Sequence, residues 1–126
     1  MKVGDVLPEL SLDVTTTFVV STALATRDFQ DVHHDKDAAV ARGSKDIFLN
    51  ILTTTGLVQR CVTDWAGPDA RVRGVRIRLG VPCYAGDTLV LGGQVSEVTD
   101  EQVVVDVVGR CSLGNHVTGQ VRVVAA

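Results

Sequence analysis

Asp28, Asp31, His33, His34 and Asp35 crowd into the ten residues TRDFQDVHHD, which hold two of the three histidines in the chain. A carboxylate and an imidazole that share one water can move its protons, which is general acid–base chemistry. Asp28 and His33 are five residues apart. That spacing puts them on opposite faces of a continuous strand and about 140° apart on a helix, so they converge only where the chain bends. Gln30-Asp31-Val32 stands where that bend would fall. Two other readings fit the same residues. One is an exposed polar loop with a helix cap. The other is a metal site built from His33, His34, Asp35 and Asp37, although adjacent histidines seldom face one ion and no cysteine or distant histidine has a ligand spacing. His116, in a turn between strands, reads as a surface or rim residue.

The elements that must position these groups follow from periodicity. Thr15–Thr26, rich in Thr, Val and Phe, reads as a first strand. Asp35 is placed to cap a short helix that runs through Ala41 and closes at Gly43. A longer helix is expected from Asp46, with Ile47, Phe48, Ile51, Leu52, Leu57 and Val58 at three- and four-residue spacings. Its middle, Thr53-Thr54-Thr55-Gly56, has poor helix propensity and needs burial to persist. After the turn at Gly67-Pro68-Asp69, Val75, Ile77, Leu79 and Val81 alternate with Arg76, Arg78 and Gly80, a strand pattern. Tyr84-Ala85-Gly86-Asp87 turns into a strand over Thr88–Val98, where Gly92-Gly93 marks a bulge or close approach. Strands over Gln102–Cys111, covered on both faces for part of its length, and Val117–Val124 complete the chain. The order is strand, helical segment, then four strands in a meander. A central helix wrapped by a curved antiparallel sheet satisfies it, an α+β arrangement in one domain over residues 1–126.

The composition excludes several classes. With 126 residues, 45% of them apolar, and a net charge near −3, the chain is an ordinary globular domain. Its arginines are spread among acids and its aromatics are few, so nucleic-acid binding lacks support. The N-terminus has neither the basic start nor the apolar run of a signal peptide, and no stretch is apolar enough to span a membrane. Cys61, Cys83 and Cys111 share no CxxC spacing and read as reduced, packed thiols of a cytoplasmic protein. Arg71, Arg73, Arg76 and Arg78 are placed either to meet phosphates or to line a solvated strand face.

Asp28-Phe29-Gln30-Asp31-Val32-His33-His34-Asp35, followed by Ala38, Ala39 and Gly43, resembles the hydratase motif of the MaoC-like, (R)-specific enoyl-CoA hydratase family, Asp-x-Asn-Pro-apolar-His-x-Asp. Val81-Pro82-Cys83-Tyr84-Ala85-Gly86-Asp87-Thr88-Leu89 resembles that family's second signature, Pro-Val-x-x-Gly-Asp-Thr-Leu. The resemblance implies a hot-dog fold and Asp28 and His33 as the catalytic pair. Residues 21–70 are closely similar to one branch of the family, the small subunits of actinobacterial steroid side-chain hydratases. That branch implies hydration of the enoyl-CoA of a shortened sterol side chain. It implies a larger MaoC-like partner with a zinc-ribbon and OB-type acyl-CoA-binding domain in an α2β2 heterotetramer, and a thiolase-like aldolase downstream. Coenzyme A enters as the substrate thioester, with no cofactor and no metal.

The departures from the motif lie at Gln30 and Asp31, which replace Asn-Pro, and at Asn50. Asn50 stands where relatives place a glycine whose N–H serves the oxyanion, so Asn50 and Ile51 are the candidate oxyanion or substrate-positioning residues. Two alternatives share the fold. A hot-dog thioesterase would need a carboxylate on the central helix, where Asp46 sits at the expected start and Asn50 is neutral. A non-catalytic subunit completing a partner's pocket would have no need of both Asp28 and His33. One such unit leaves a sheet edge and a sheet face uncovered, so association is expected.

Overall fold

In the computed structural model, residues 1–124 are described; residues 125–126 of the expected domain span lie outside the described residues. Five strands form one antiparallel sheet: β1 Leu10–Val14, β2 Arg71–Leu79, β3 Asp87–Val98, β4 Val103–Cys111 and β5 Gly114–Val124. Three helices join them: α1 Thr16–Ala25, α2 Lys36–Ala41 and α3 Ile51–Ala66, with a 3-10 turn over Asp31–His33. The long helix lies on one face of the sheet, the hot-dog arrangement that the motifs imply.

The sheet order is β1-β3-β4-β5-β2. Only β3-β4-β5 is a meander; β2 crosses to pair with β5, from Arg71↔Val124 to Leu79↔Val117. This corrects the expected four-strand meander. A period-two pattern marks strands but says nothing of which neighbour each one takes. The valine run of β4 explains its central place: Val103, Val104, Val105 and Val107 are buried, and only Asp106 breaks the run to solvent.

α3 holds together by burial rather than propensity. Thr54, Leu57, Val58, Cys61 and Val62 recur every three or four residues, and all are buried against the sheet. Each fully buried valine or leucine contributes about 1.5–3 kcal/mol, which outweighs the poor propensity of Thr53-Thr54-Thr55-Gly56. The helix starts later than periodicity predicts. Ile47–Asn50 runs extended, tied by Leu49 N–H to the Cys83 carbonyl and by Ala85 N–H to the Ile47 carbonyl. Asp46 therefore caps nothing on α3; its carboxylate accepts from Ile47 N–H beside it.

The expected first strand over Thr15–Thr26 is instead helix α1, and the true first strand, Leu10–Val14, precedes it. Thr15 caps α1 by accepting from Phe18 N–H, while Thr22 and Thr26 return their hydroxyls to the carbonyls of Phe18 and Thr22. With those hydroxyls satisfied inside the helix, burial of Val19 and Ala23 on one face decides the conformation. α2 matches its expected span: Asp35 accepts from Ala38 N–H, and Gly43 follows at φ 94°.

His116 is no rim residue. It is buried, with Nδ1–H donating to the Val81 carbonyl at 2.7 Å and Nε2 accepting from Thr54 Oγ1 at 2.8 Å. It thereby pins β5 to α3 and to the chain after β2. Burial lowers its pKa, against the raising effect of the Val81 hydrogen bond. The unfolded chain then binds a proton that the folded one refuses, in the window from an ordinary histidine value of about 6.5 downward. Stability is full above that value and declines as pH falls toward the lowered folded value. Thermal melts between neutral and mildly acid pH should show this decline, and His116→Gln should flatten it. Identical slopes in the two proteins would refute the assignment.

Candidate active site

The bend that Asp28 and His33 need is built from two local motifs. α1 is capped by Thr26, after which Arg27 N–H donates to the Leu24 carbonyl and Asp28 N–H to the Ala23 carbonyl. This paired closure requires a left-handed residue between helix and exit, and Arg27 takes it at φ 57°. A side chain at that φ costs about 1 kcal/mol. α2 closes in the same way, but there the left-handed residue is Gly43, with Ser44 N–H donating to the Ala39 carbonyl. The second motif is the 3-10 turn at Asp31–His33, which makes the bend without the proline of related motifs.

The result brings His33 Nε2 to 3.5 Å from Asp28 Oδ2. His33 is buried, with Nδ1–H donating to the Phe48 carbonyl at 2.8 Å. The Phe48 ring meets the imidazole edge-on, with centroids 4.9 Å apart, and Tyr84 packs edge-on against Phe48. With Nδ1 committed as a donor, Nε2 of the neutral ring presents a lone pair. In that neutral form two acceptors face each other across 3.5 Å. A water between them can donate one proton to each and leave its own lone pairs for an electrophile.

Asn50, immediately before α3, is 2% exposed. Its Nδ2 donates to Thr26 Oγ1 at 2.8 Å and to Asp28 Oδ2 at 3.2 Å, while Oδ1 is buried without a partner. Asn50 occupies the N-cap position with extended backbone, φ −87° and ψ 161°, yet makes no side-chain cap hydrogen bond. Asparagine is among the best N-caps, and leaving the cap unmade forgoes about 1 kcal/mol. Ile51 opens the helix with its side chain exposed, and among the described residues no side chain caps the N–H groups of this first turn.

The other polar residues of the segment disperse. Asp31 pairs with Arg42 at 3.0 Å, Asp35 caps α2, and His34 is exposed with Nε2 at 3.2 Å from the Phe29 carbonyl. His33 turns inward while His34, Asp35 and Asp37 are exposed, so the four do not form a metal site. Among the described residues, the donor atoms that do gather are those of Cys83, Asp87 and Cys111, within 4.8 Å of one another. They read as a brace between turns. Asp87 accepts from Ser112 N–H and Oγ and from Thr88 N–H, and these bonds outweigh burial to hold its carboxyl below the usual range. Burial, with the nearby Cys111 and Asp87 adding to it, pushes the Cys83 thiol up to about 12. All three cysteines are free. Arg71, Arg73, Arg76 and Arg78 are exposed, Arg76 and Arg78 lining an open hollow of about 500 Å³ with Asp106 and Gln120. α3 carries one acidic residue, Asp64 in its last turn, paired with Arg60 at 3.4 Å and far along the helix from Asp28. No carboxylate of the helix therefore faces the pair, as a thioesterase of this fold would need.

The structure brings Asp28, His33 and Asn50 together and adds Phe48 and Thr26, which residue type does not single out. A carbonyl that fixes a tautomer leaves no trace in residue type, so Phe48 gives no signal. Thr26 is hidden by the reading of its segment as a strand.

Residues 4–115 match the family model described as MaoC like domain. The chain is 66% identical over 119 residues to the 3-oxo-4,17-pregnadiene-20-carboxyl-CoA hydratase beta subunit of Mycobacterium tuberculosis, covering 94% of this chain and 92% of that protein. In the crystal structure of the ChsH1–ChsH2 complex from Mycobacterium tuberculosis, one chain superposes with a TM-score of 0.98 at 62% identity, over 99% of this chain and 98% of that one. The (R)-hydratase from A. caviae involved in PHA biosynthesis shares the fold, with a TM-score of 0.90 at 18% identity over 100% and 98% of the two chains.

Proposed function

Because the chain belongs to the MaoC-like domain family, we propose that it is a hydro-lyase subunit that adds water to a steroid side-chain enoyl-CoA, of the 3-oxo-4,17-pregnadiene-20-carboxyl type, in sterol side-chain β-oxidation. The observation that carries the chemistry is the 3.5 Å approach of His33 Nε2 to Asp28 Oδ2 with Nδ1 already bound to the Phe48 carbonyl. A water held between them donates one proton to each and aims its oxygen at Cβ of the α,β-unsaturated thioester. As the C–O bond forms, Asp28 draws off a proton; His33 orients the water and helps the pair return one proton to Cα. The pair ends in the protonation state in which it began, and the substrate gains H and OH. Negative charge that develops on the thioester oxygen needs donors, and the uncapped N–H groups at Asn50 and Ile51, where the α3 dipole is positive, are the candidates. The reading calls on no cofactor and no metal; coenzyme A is part of the substrate.

Association belongs to the same proposal. Leu24 and Phe29 beside Asp28, and Ile51 and Leu52 beside Asn50, are large apolar side chains left exposed around the pair. A bound acyl chain and a partner subunit would cover them. The similarity to a chain of the Mycobacterium tuberculosis ChsH1–ChsH2 complex supports a heteromeric partner. The family resemblance extends the proposal to a larger MaoC-like chain with a zinc-ribbon and OB-type acyl-CoA-binding domain, in an α2β2 heterotetramer, with a thiolase-like aldolase taking the product. No helix among the described residues is long and apolar enough to cross a membrane, and the proposed site of action is the cytoplasm.

The test is to supply the enoyl-CoA to the chain alone and to the chain co-purified with that partner, following both loss of the conjugated double bond and release of free thiol. Hydration without thiol release is the expected result. Thiol release without hydration would replace this reading with thioester hydrolysis.

A further inference from the structure

We infer that Asn50 is a positioning residue for Asp28, its side-chain amide diverted from capping α3 to hold the reactive carboxylate; this deepens the hydratase reading and rests on it. The amide's orientation follows from its partners. Thr26 Oγ1 spends its proton on the Thr22 carbonyl, at 2.8 Å, so it can only accept from Asn50. Asp28 Oδ2 is an acceptor as well. Both partners require Nδ2 toward them, and a flipped amide would set Oδ1 against two acceptors. Oδ1 is therefore committed away from them, buried and unpartnered, a cost that a residue selected for stability alone would avoid.

A second observation points the same way. At the start of α3 the backbone already has the extended geometry of an N-cap, and asparagine is a favoured cap residue, yet its oxygen takes no N–H of the first turn. One side chain cannot do both tasks. By reaching back to Thr26 and Asp28, Asn50 ties the end of α1 to the start of α3 and fixes the oxygen that faces His33. It also leaves the first-turn N–H groups of α3 uncapped. Held carboxylate and open helix end are two results of one rotamer.

Asn50→Ser separates positioning from stability, because serine can cap the helix but is too short to reach Asp28. In the complex with the partner subunit, kcat should fall about tenfold to a hundredfold, the scale of a small misplacement of a reacting group. KM should stay within about twofold and Tm should not fall below that of the unsubstituted protein. Unchanged kcat would overturn the inference, and so would a loss of kcat that tracks a lowered Tm. Should Asn50→Ser fail to fold, Thr26→Val removes one anchor and leaves the helix start intact. It is expected to lower kcat at retained KM, and full activity would overturn the proposal. The unsubstituted complex in the same assay reports separately on the hydratase reading. If it hydrates nothing, melting decides: a Tm held or raised in Asn50→Ser supports the diverted cap, and a lowered Tm refutes it.

Discussion

Asp28→Asn should abolish nearly all hydration while the protein stays folded. The substitution keeps shape and volume but exchanges an oxygen that can take a proton for an amide that cannot. Asn50 Nδ2 demands an oxygen at the Oδ2 position, so the new amide keeps its carbonyl oxygen there and still accepts hydrogen bonds, but an amide oxygen is too weakly basic to take the proton. One acid–base partner is worth about 10²–10⁴ in rate, or roughly 3–5 kcal/mol of barrier. The Asp28 side chain is partly exposed and asparagine keeps its shape and volume, so melting should shift little. Steady-state hydration rates with circular dichroism as the folding control decide the matter. Turnover near that of the unsubstituted protein would end the proposal that this carboxylate works on the water.

The second large effect falls on stability. Gly80 lies where the chain leaves β2, with its N–H on the His116 carbonyl and the next N–H, of Val81, on the Asn115 carbonyl. A Cβ placed on Gly80 would run directly into the Asn115 carbonyl oxygen, which is backbone and cannot swing aside. Gly80→Ala must therefore part β2 from β5 at this end and shift the Val81 carbonyl that His116 holds. Forced overpacking of this kind costs about 1–3 kcal/mol, and the rigid neighbour puts this case at the upper end. For a chain of this size Tm should drop by roughly 10 °C. Gly56→Ala is the matched control: its Cβ meets nothing within 4 Å, and alanine is the better helix former. If Gly80→Ala melts with the unsubstituted protein, the close approach of the two backbones is wrong.

Residue types and spacing carry a good part of this site. The five-residue gap between Asp28 and His33 demands a bend, and Asp35 and Gly43 bracket α2 because a cap and a left-handed glycine are written in residue type. α1 escapes such a reading because Thr, Val and Phe favour strands when nothing else acts. Its helix depends on hydroxyls returned to carbonyls and on two buried contacts, neither visible locally. Its end is equally hidden, since the left-handed closure that Gly43 announces is performed at Arg27 by a residue that announces nothing. Residues 47–50 carry helical spacing but are held extended by partners more than thirty residues away, and that moves the start of α3. His116 misleads for a related reason: a turn residue becomes a core residue when its partners, Thr54 and Val81, come from other elements. At the site, residue types single out the proposed reacting groups, whereas what holds them is a carbonyl and an amide that tertiary structure alone brings to hand.

The uncapped start of α3 also bears on how this protein would respond to redesign. Position 50 is where a helix-optimising scheme would install serine or aspartate, expecting the gain of about 1 kcal/mol that a good cap provides. Such a variant would pass every screen for expression and heat resistance. It would do so by releasing Asp28, the proposed reactive carboxylate, from its tether, trading activity for robustness at a single residue. Laboratory evolution for turnover should keep asparagine there, and evolution for thermostability alone should drift away from it.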